Sequence, residues 1–136
     1  MLLSPVVDRL KAQCPGLRQV LLALEGAQPG GYPAAYVLPL AEDAEHDELL
    51  EAHAQRITVR FGVELMVKHA AQAASGGPAH ETLEALRDEI KAALAGWEPG
   101  AGFTPVDFAA GRLMDFAGGI AVWRDEFTTA HYLEDL

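Results

Sequence analysis

Between Gln55 and Lys68 the chain reads QRITVRFGVELMVK, and this stretch constrains the fold more than any other. Ile57, Val59, Phe61, Val63, Leu65 and Val67 fall at every second position, alternating with Thr58, Arg60, Gly62, Glu64, Met66 and Lys68. Such alternation predicts a β-strand with one face in a core and the other against water or a partner. Strands usually run ~5–6 residues. One about twice that length must be paired throughout or project from the body of the fold.

The rest of the chain supplies elements for such a strand to pair with. Ser4-Pro5 starts a helix, with Ser4 as N-cap and Pro5 where a missing N–H costs nothing. Val6, Val7 and Leu10 form its apolar stripe, and Pro15-Gly16 stops it. Leu17 to Leu24 reads as a strand, and Gln28-Pro29-Gly30-Gly31 as a turn. Ala34 to Leu40 is a second strand, whose Pro39 belongs near a strand end or sheet edge. Leu83, Leu86, Ile90, Ala93, Leu94 and Trp97 recur at steps of three and four, predicting a helix that opens at Gly77-Pro78 and stops at Gly96. Val106 to Phe116 is a strand with a bulge at Gly111, and Gly118-Gly119 is a hairpin turn. Ile120 to Leu133 is the last strand. Its alternation changes parity between Val122 and Phe127, which a bulge around Arg124-Asp125-Glu126 would reconcile.

The expected order is α-β-β-β-α-β-β. It gives an α+β fold, a largely antiparallel (mixed) sheet of about five strands with two helices packed on one face. At 136 residues, half of them hydrophobic, the chain is expected to form one domain over 1–136 with a real core. No apolar run reaches the ~20 residues of a membrane span, and the start lacks the basic and apolar regions of a signal peptide. Cys14 is the single cysteine, so neither an intrachain disulfide nor a cysteine-based metal site can form. Together these point to a protein that folds in a reducing cytoplasm and makes no membrane contact.

The net charge of −10 argues against neutralising a nucleic-acid backbone, which needs clustered Lys and Arg. Glu42, Asp43, Glu45, Asp47, Glu48 and Glu51 contribute six acids with no base among them. A solvated loop or exposed helix face is the ordinary reading of such a run. A loop of this kind can also face a partner, with Glu42, Asp43, Glu45, Asp47 and Glu48 as its contact residues.

Chemistry is sparse. Ser4 and Ser75 are the only serines and neither lies in a nucleophile elbow. The pairs Gly30-Gly31, Gly76-Gly77 and Gly118-Gly119 match neither a P-loop nor a dinucleotide fingerprint. Cys14, at the end of the first helix, reads as a structural thiol. His46, with Asp43, Asp47 and His53, is the one group that could gather around a divalent metal, but no recognised ligand spacing supports it. No catalytic residue, metal site or cofactor is therefore assigned. Asp125 and Glu126 are adjacent, so on a regular strand they point to opposite faces and cannot act as an acid/base couple.

Three stretches carry a family resemblance. They are PAAYVLPL (Pro33 to Leu40) followed after a loop by QRITVRFGVELMVK, a helix ending ALAGWEP (Ala93 to Pro99), and GRLMDFAGGIAVWRDEFTTAHYL (Gly111 to Leu133). In this order and spacing the chain resembles the tail terminator (tail completion) proteins of long-tailed bacteriophages and prophages, the lambda-type group. The resemblance implies a non-enzymatic structural protein at the head–tail junction of the virion. It would close into a homo-oligomeric ring, six-fold in the family, and sit on the tail-tube protein. There it would stop polymerisation and present a docking surface to the head-side connector, with DNA only passing through the channel. The alternatives are another neck or minor tail protein of similar fold, or a metal-binding module or enzyme using His46 and His53. Under the leading reading the second face of the long strand becomes an assembly surface. Arg60 and Glu64 lie on that face, and Arg124 and Glu126 join them as oligomer-interface candidates.

Overall fold

The computed structural model describes residues 1–23, 28–46, 54–68 and 77–134. Helix α1 (Ser4–Gln13) is followed by strands β1 (Gln19–Leu22), β2 (Ala34–His46) and β3 (Ala54–Lys68). Helix α2 (Gly77–Leu94) then leads to β4 (Asp107–Ala117) and β5 (Ile120–Glu134). The strands form one sheet in the order β1-β2-β3-β5-β4. β1 runs parallel to β2 and every other neighbouring pair is antiparallel. The architecture is the expected mixed-sheet α+β fold.

β3 is central and paired on both flanks along its length. Its odd-numbered residues Phe61, Val63, Leu65 and Val67 are buried with Val6 and Leu10 of α1 and Leu83, Leu86, Ile90 and Leu94 of α2. Phe61 stacks on Phe127 of β5, with ring centroids 5.6 Å apart and planes 20° from parallel. An offset aromatic pair in a core adds about 0.5–1.5 kcal/mol beyond area burial. Truncating a fully buried residue such as Leu10 or Ile90 to Ala is expected to cost about 2–5 kcal/mol.

Several local expectations change. The acidic segment is not all loop, because β2 continues through it to His46, with Glu42 opposite Val59 and Glu45 opposite Arg56. A long β3 offers backbone partners past the core, and ladder hydrogen bonds override the low strand propensity of the acids. Asp47, Glu48, Glu51 and His53 lie outside the described residues. β1 is shorter than expected and parallel to β2, so the turn at Gln28–Gly31 does not form a hairpin. Pro39 lies at a register shift between Pro39 and Ala41, just beyond the last β1 partner, Val37.

Ser4 is already helical. Leu3 is the N-cap of α1, without a side-chain cap hydrogen bond. The β3–β5 ladder is unbroken from Ala54↔Glu134 to Lys68↔Ile120, so β5 carries no bulge at Arg124–Glu126. The irregularities fall on β4 instead, between Phe108 and Ala110 and between Leu113 and Asp115. A regular β5 explains the change in parity directly. Ile120 and Val122 face away from the helices and Phe127 faces them, so both of its faces carry apolar residues. Gly96 takes φ +82° at the end of α2, and Gly118 and Gly119 take φ +63° and +77° in the β4–β5 turn. Both sites match the sequence reading.

Candidate assembly surface

The sheet face turned away from the helices is built from the even-numbered residues of β3 and β5. Arg60, Glu64, Arg124 and Glu126 all lie on it, so the structure brings together the four predicted interface residues. They are bonded to one another. Arg124 donates from Nη2 and Nε to Glu64 Oε2 at 2.6 and 2.8 Å. Arg60 Nη1 donates to Glu126 Oε1 at 2.9 Å, and Arg112 Nη2 of β4 approaches Glu126 Oε2 at 2.9 Å. The Glu126 side chain is only 5% exposed and lies between two arginines that reach in from solvent. Arg112 was missed as a member of this ladder because its place depends on the β4–β5 register.

Asp125, one residue along, points to the helix side as a regular strand requires. Its carboxylate accepts from Arg87 Nη2 at 2.8 Å and Nε at 3.2 Å, and from Trp123 Nε1 at 3.0 Å. The Arg87 guanidinium lies 4.3 Å from the Trp123 ring centroid, a cation–π contact beneath α2. Hydrogen bonding by Asp125, and then Glu84, holds Arg87 above its already high ordinary pKa despite the opposing effect of burial. Gly111 of β4 makes room for this group. A Cβ there would come within 2.7 Å of Asp125 Oδ1 and 2.8 Å of Arg87 Nη2. Asp125 and Glu126 thus serve two separate ion-pair networks, one on each side of the sheet.

Among the described residues, β4 gathers more exposed large apolar side chains than any other element. It is the last strand of the sheet, with no further strand beside it among the described residues, and every residue of it but Ala110 is exposed. Phe108, Leu113 and Phe116 pair with Phe127, Trp123 and Ala121, which places them on the helix side of the sheet. The helices scarcely cover this flank. Phe108 packs edge-on against Phe127 and meets Lys91 of α2, whereas Leu113 and Phe116 are more than half exposed. Met114, between the register-shifted positions Leu113 and Asp115, and Tyr132 and Leu133 on β5 add to the exposed apolar residues. A long apolar edge invites pairing with another chain and is normally blunted or covered. The exposure of this strand follows from its place at the end of the sheet, which its own residue pattern does not encode.

At the far end of β2, Ala41–Glu45 are exposed. The backbone ammonium of Met1 lies 3.6 Å from Glu42. Asp43 and Glu45 of the predicted acidic contact loop therefore stand on a strand, while Asp47 and Glu48 lie outside the described residues. Of the group that could gather around a metal, Asp47 and His53 also lie outside the described residues. Among the described residues, no three His, Cys, Asp or Glu side chains gather in a way that could hold a metal ion.

The family model for phage tail terminator protein matches residues 1–135. The chain belongs to the phage tail terminator family. Terminator proteins are structural virion components, and membership makes this chain a structural protein of the phage-tail type. No curated protein matches it. Among solved structures it is similar to a chain described as "Virion of native gene transfer agent (GTA) particle". That likeness has 18% identity, a TM-score of 0.65, and covers 98% of this chain and 95% of the other. At that identity it shows a shared fold and nothing finer.

Proposed function

We propose that this protein folds as one domain and caps the phage tail tube as a homo-oligomeric ring, six-fold as in its family. It stops polymerisation of the tube protein and offers its other side to the head-side connector. Membership of the terminator family across residues 1–135 carries the reading. The exposed apolar strand β4 at the end of the sheet supports it physically, since a neighbouring subunit in a ring covers what a lone molecule exposes. The net charge of −10 suits a channel through which DNA slides without being held. The sheet face bearing Arg60, Glu64, Arg124 and Glu126 is a second contact face in this scheme. Because its charges are matched within the subunit, it meets a neighbour mainly through shape and the exposed arms of Arg60 and Arg112.

The deciding experiment is electron microscopy of a phage lysate lacking this protein. Abnormally long tails, brought to uniform length by adding the purified protein, are expected. Tails of normal length in the deficient lysate would overturn the role.

A further inference from the structure

Resting on that ring reading, we propose that the acidic end of β2 on one copy docks into a cation-flanked cleft at the opposite end of β2 on the next. The cleft has a volume of about 650 Å³ and is lined by Arg18, Gly30, Gly31, Tyr32, Lys68 and Thr82, among others. The backbone of Arg18 is tied to the start of β2, its N–H donating to the Pro33 carbonyl at 2.8 Å. Gly30 is fixed by its N–H donating to Gln19 Oε1 at 2.5 Å. Lys68 is the last residue of β3, beside that same end of β2. Both cationic side chains are exposed, and among the described residues neither forms an ion pair. Most other cations of the sheet and of α2 are already bonded to carboxylates, as Arg60, Arg87, Lys91, Arg112 and Arg124 are.

The complementary feature stands at the other end of the ribbon. β2 runs from Ala34 to His46, so at ~3.3 Å per residue its ends are roughly 40 Å apart. Asp43 and Glu45 therefore cannot reach the cleft of their own subunit. They share one side of the strand, spaced about 7 Å apart, and are exposed; Arg56 stands opposite Glu45 on β3, but none of the three forms an ion pair among the described residues. A strand tip bearing two carboxylates on one side matches an open cleft flanked by two cations. The contact joins different surfaces of successive copies. It is heterologous, and it closes into a ring when the rotation between copies allows. A polyanion from solution is the weaker occupant, because the protein as a whole repels it.

The test is sedimentation velocity of the purified full chain at low and high salt. The wild type is expected to associate with concentration, and less so at high salt. Arg18→Glu with Lys68→Glu, and separately Asp43→Lys with Glu45→Lys, should each lower the association constant on the order of tenfold or more. The protein carrying all four changes should recover. Association unaffected by either pair, failure of the four-fold variant to recover, or a wild type that never associates overturns the contact. So does inorganic phosphate binding at Arg18 and Lys68 while the acidic pair proves dispensable. Tail-length restoration is a separate readout. Wild type that limits tail length while both reversed pairs associate normally keeps the capping role and rejects this contact. Charge-swap recovery without any effect on tail length does the reverse.

Discussion

At the scale of single residues, Glu126 is the most consequential side chain on the open face. Its carboxylate is buried and held by two arginines, so losing one leaves the other in place. Arg60→Ala and Arg112→Ala should each cost about 1 kcal/mol or less, since both arginines are substantially exposed. The double variant leaves a buried carboxylate unpaired and should cost several kcal/mol, well above the sum. Urea unfolding of the four proteins in the cycle checks this; strictly additive losses would show that Glu126 finds other partners. On the helix side, Gly111→Ala sets a methyl group against Asp125 and Arg87. It is expected to destabilise by about 1–3 kcal/mol, read as a lower thermal midpoint. Cys14 is a third case. Burial, reinforced by Glu89, pushes its thiol up to about 11 from 9.0. The unfolded chain therefore loses this proton before the folded one does. Stability is complete below about pH 9 and declines as pH rises toward 11. A Cys14→Ala variant should show less of that alkaline decline, and native Cys14 should resist alkylation at pH 8.

At the scale of elements, β4 is where sequence and structure part most informatively. Alternation exposed β3 at once, because one of its faces is wholly apolar and the other largely polar. The apolar spacing of α2 and the glycines at 96, 118 and 119 were as plain, because each answers to local geometry. What decides the environment of β4 is instead the sheet order, which brings β5 between β3 and β4 and leaves Leu113 and Phe116 at the rim. No local pattern encodes that order. The extension of β2 through Glu42–His46 was hidden for the same reason, since β3 supplies the hydrogen-bonding template. Replacing Leu113 and Phe116 by Lys should leave the unfolding free energy within about 1 kcal/mol of wild type, as surface changes do. Under the ring proposal it should also abolish concentration-dependent assembly in light scattering. Assembly at wild-type strength would remove β4 from the interface.

At the scale of the molecule, the fold class could be read from patterning because helices and strands alternate in periods that differ plainly. Of the four interface candidates, Arg60 and Glu64 were legible as sharing one face of β3, which parity alone decides. The bulge expected at Arg124–Glu126 left the facing of the other two open until the unbroken β3–β5 ladder fixed it. That the four bond to each other was not legible, because ion pairing depends on cross-strand register and on Arg112 from a third strand. The ladder between β3 and β5 has a consequence for how the protein is made. Lys68 meets Ile120, and Ala54 meets Glu134, so the central strand waits for the last one while α2 and β4 are synthesised between them. Until β5 leaves the ribosome, β3 has one flank open and its apolar face only partly roofed. Such long-range closure is slow and leaves strand edges exposed in the meantime. Nascent chains stalled before Ile120 should therefore be protease-sensitive and bound by chaperones, whereas chains released after Glu134 become resistant as a unit.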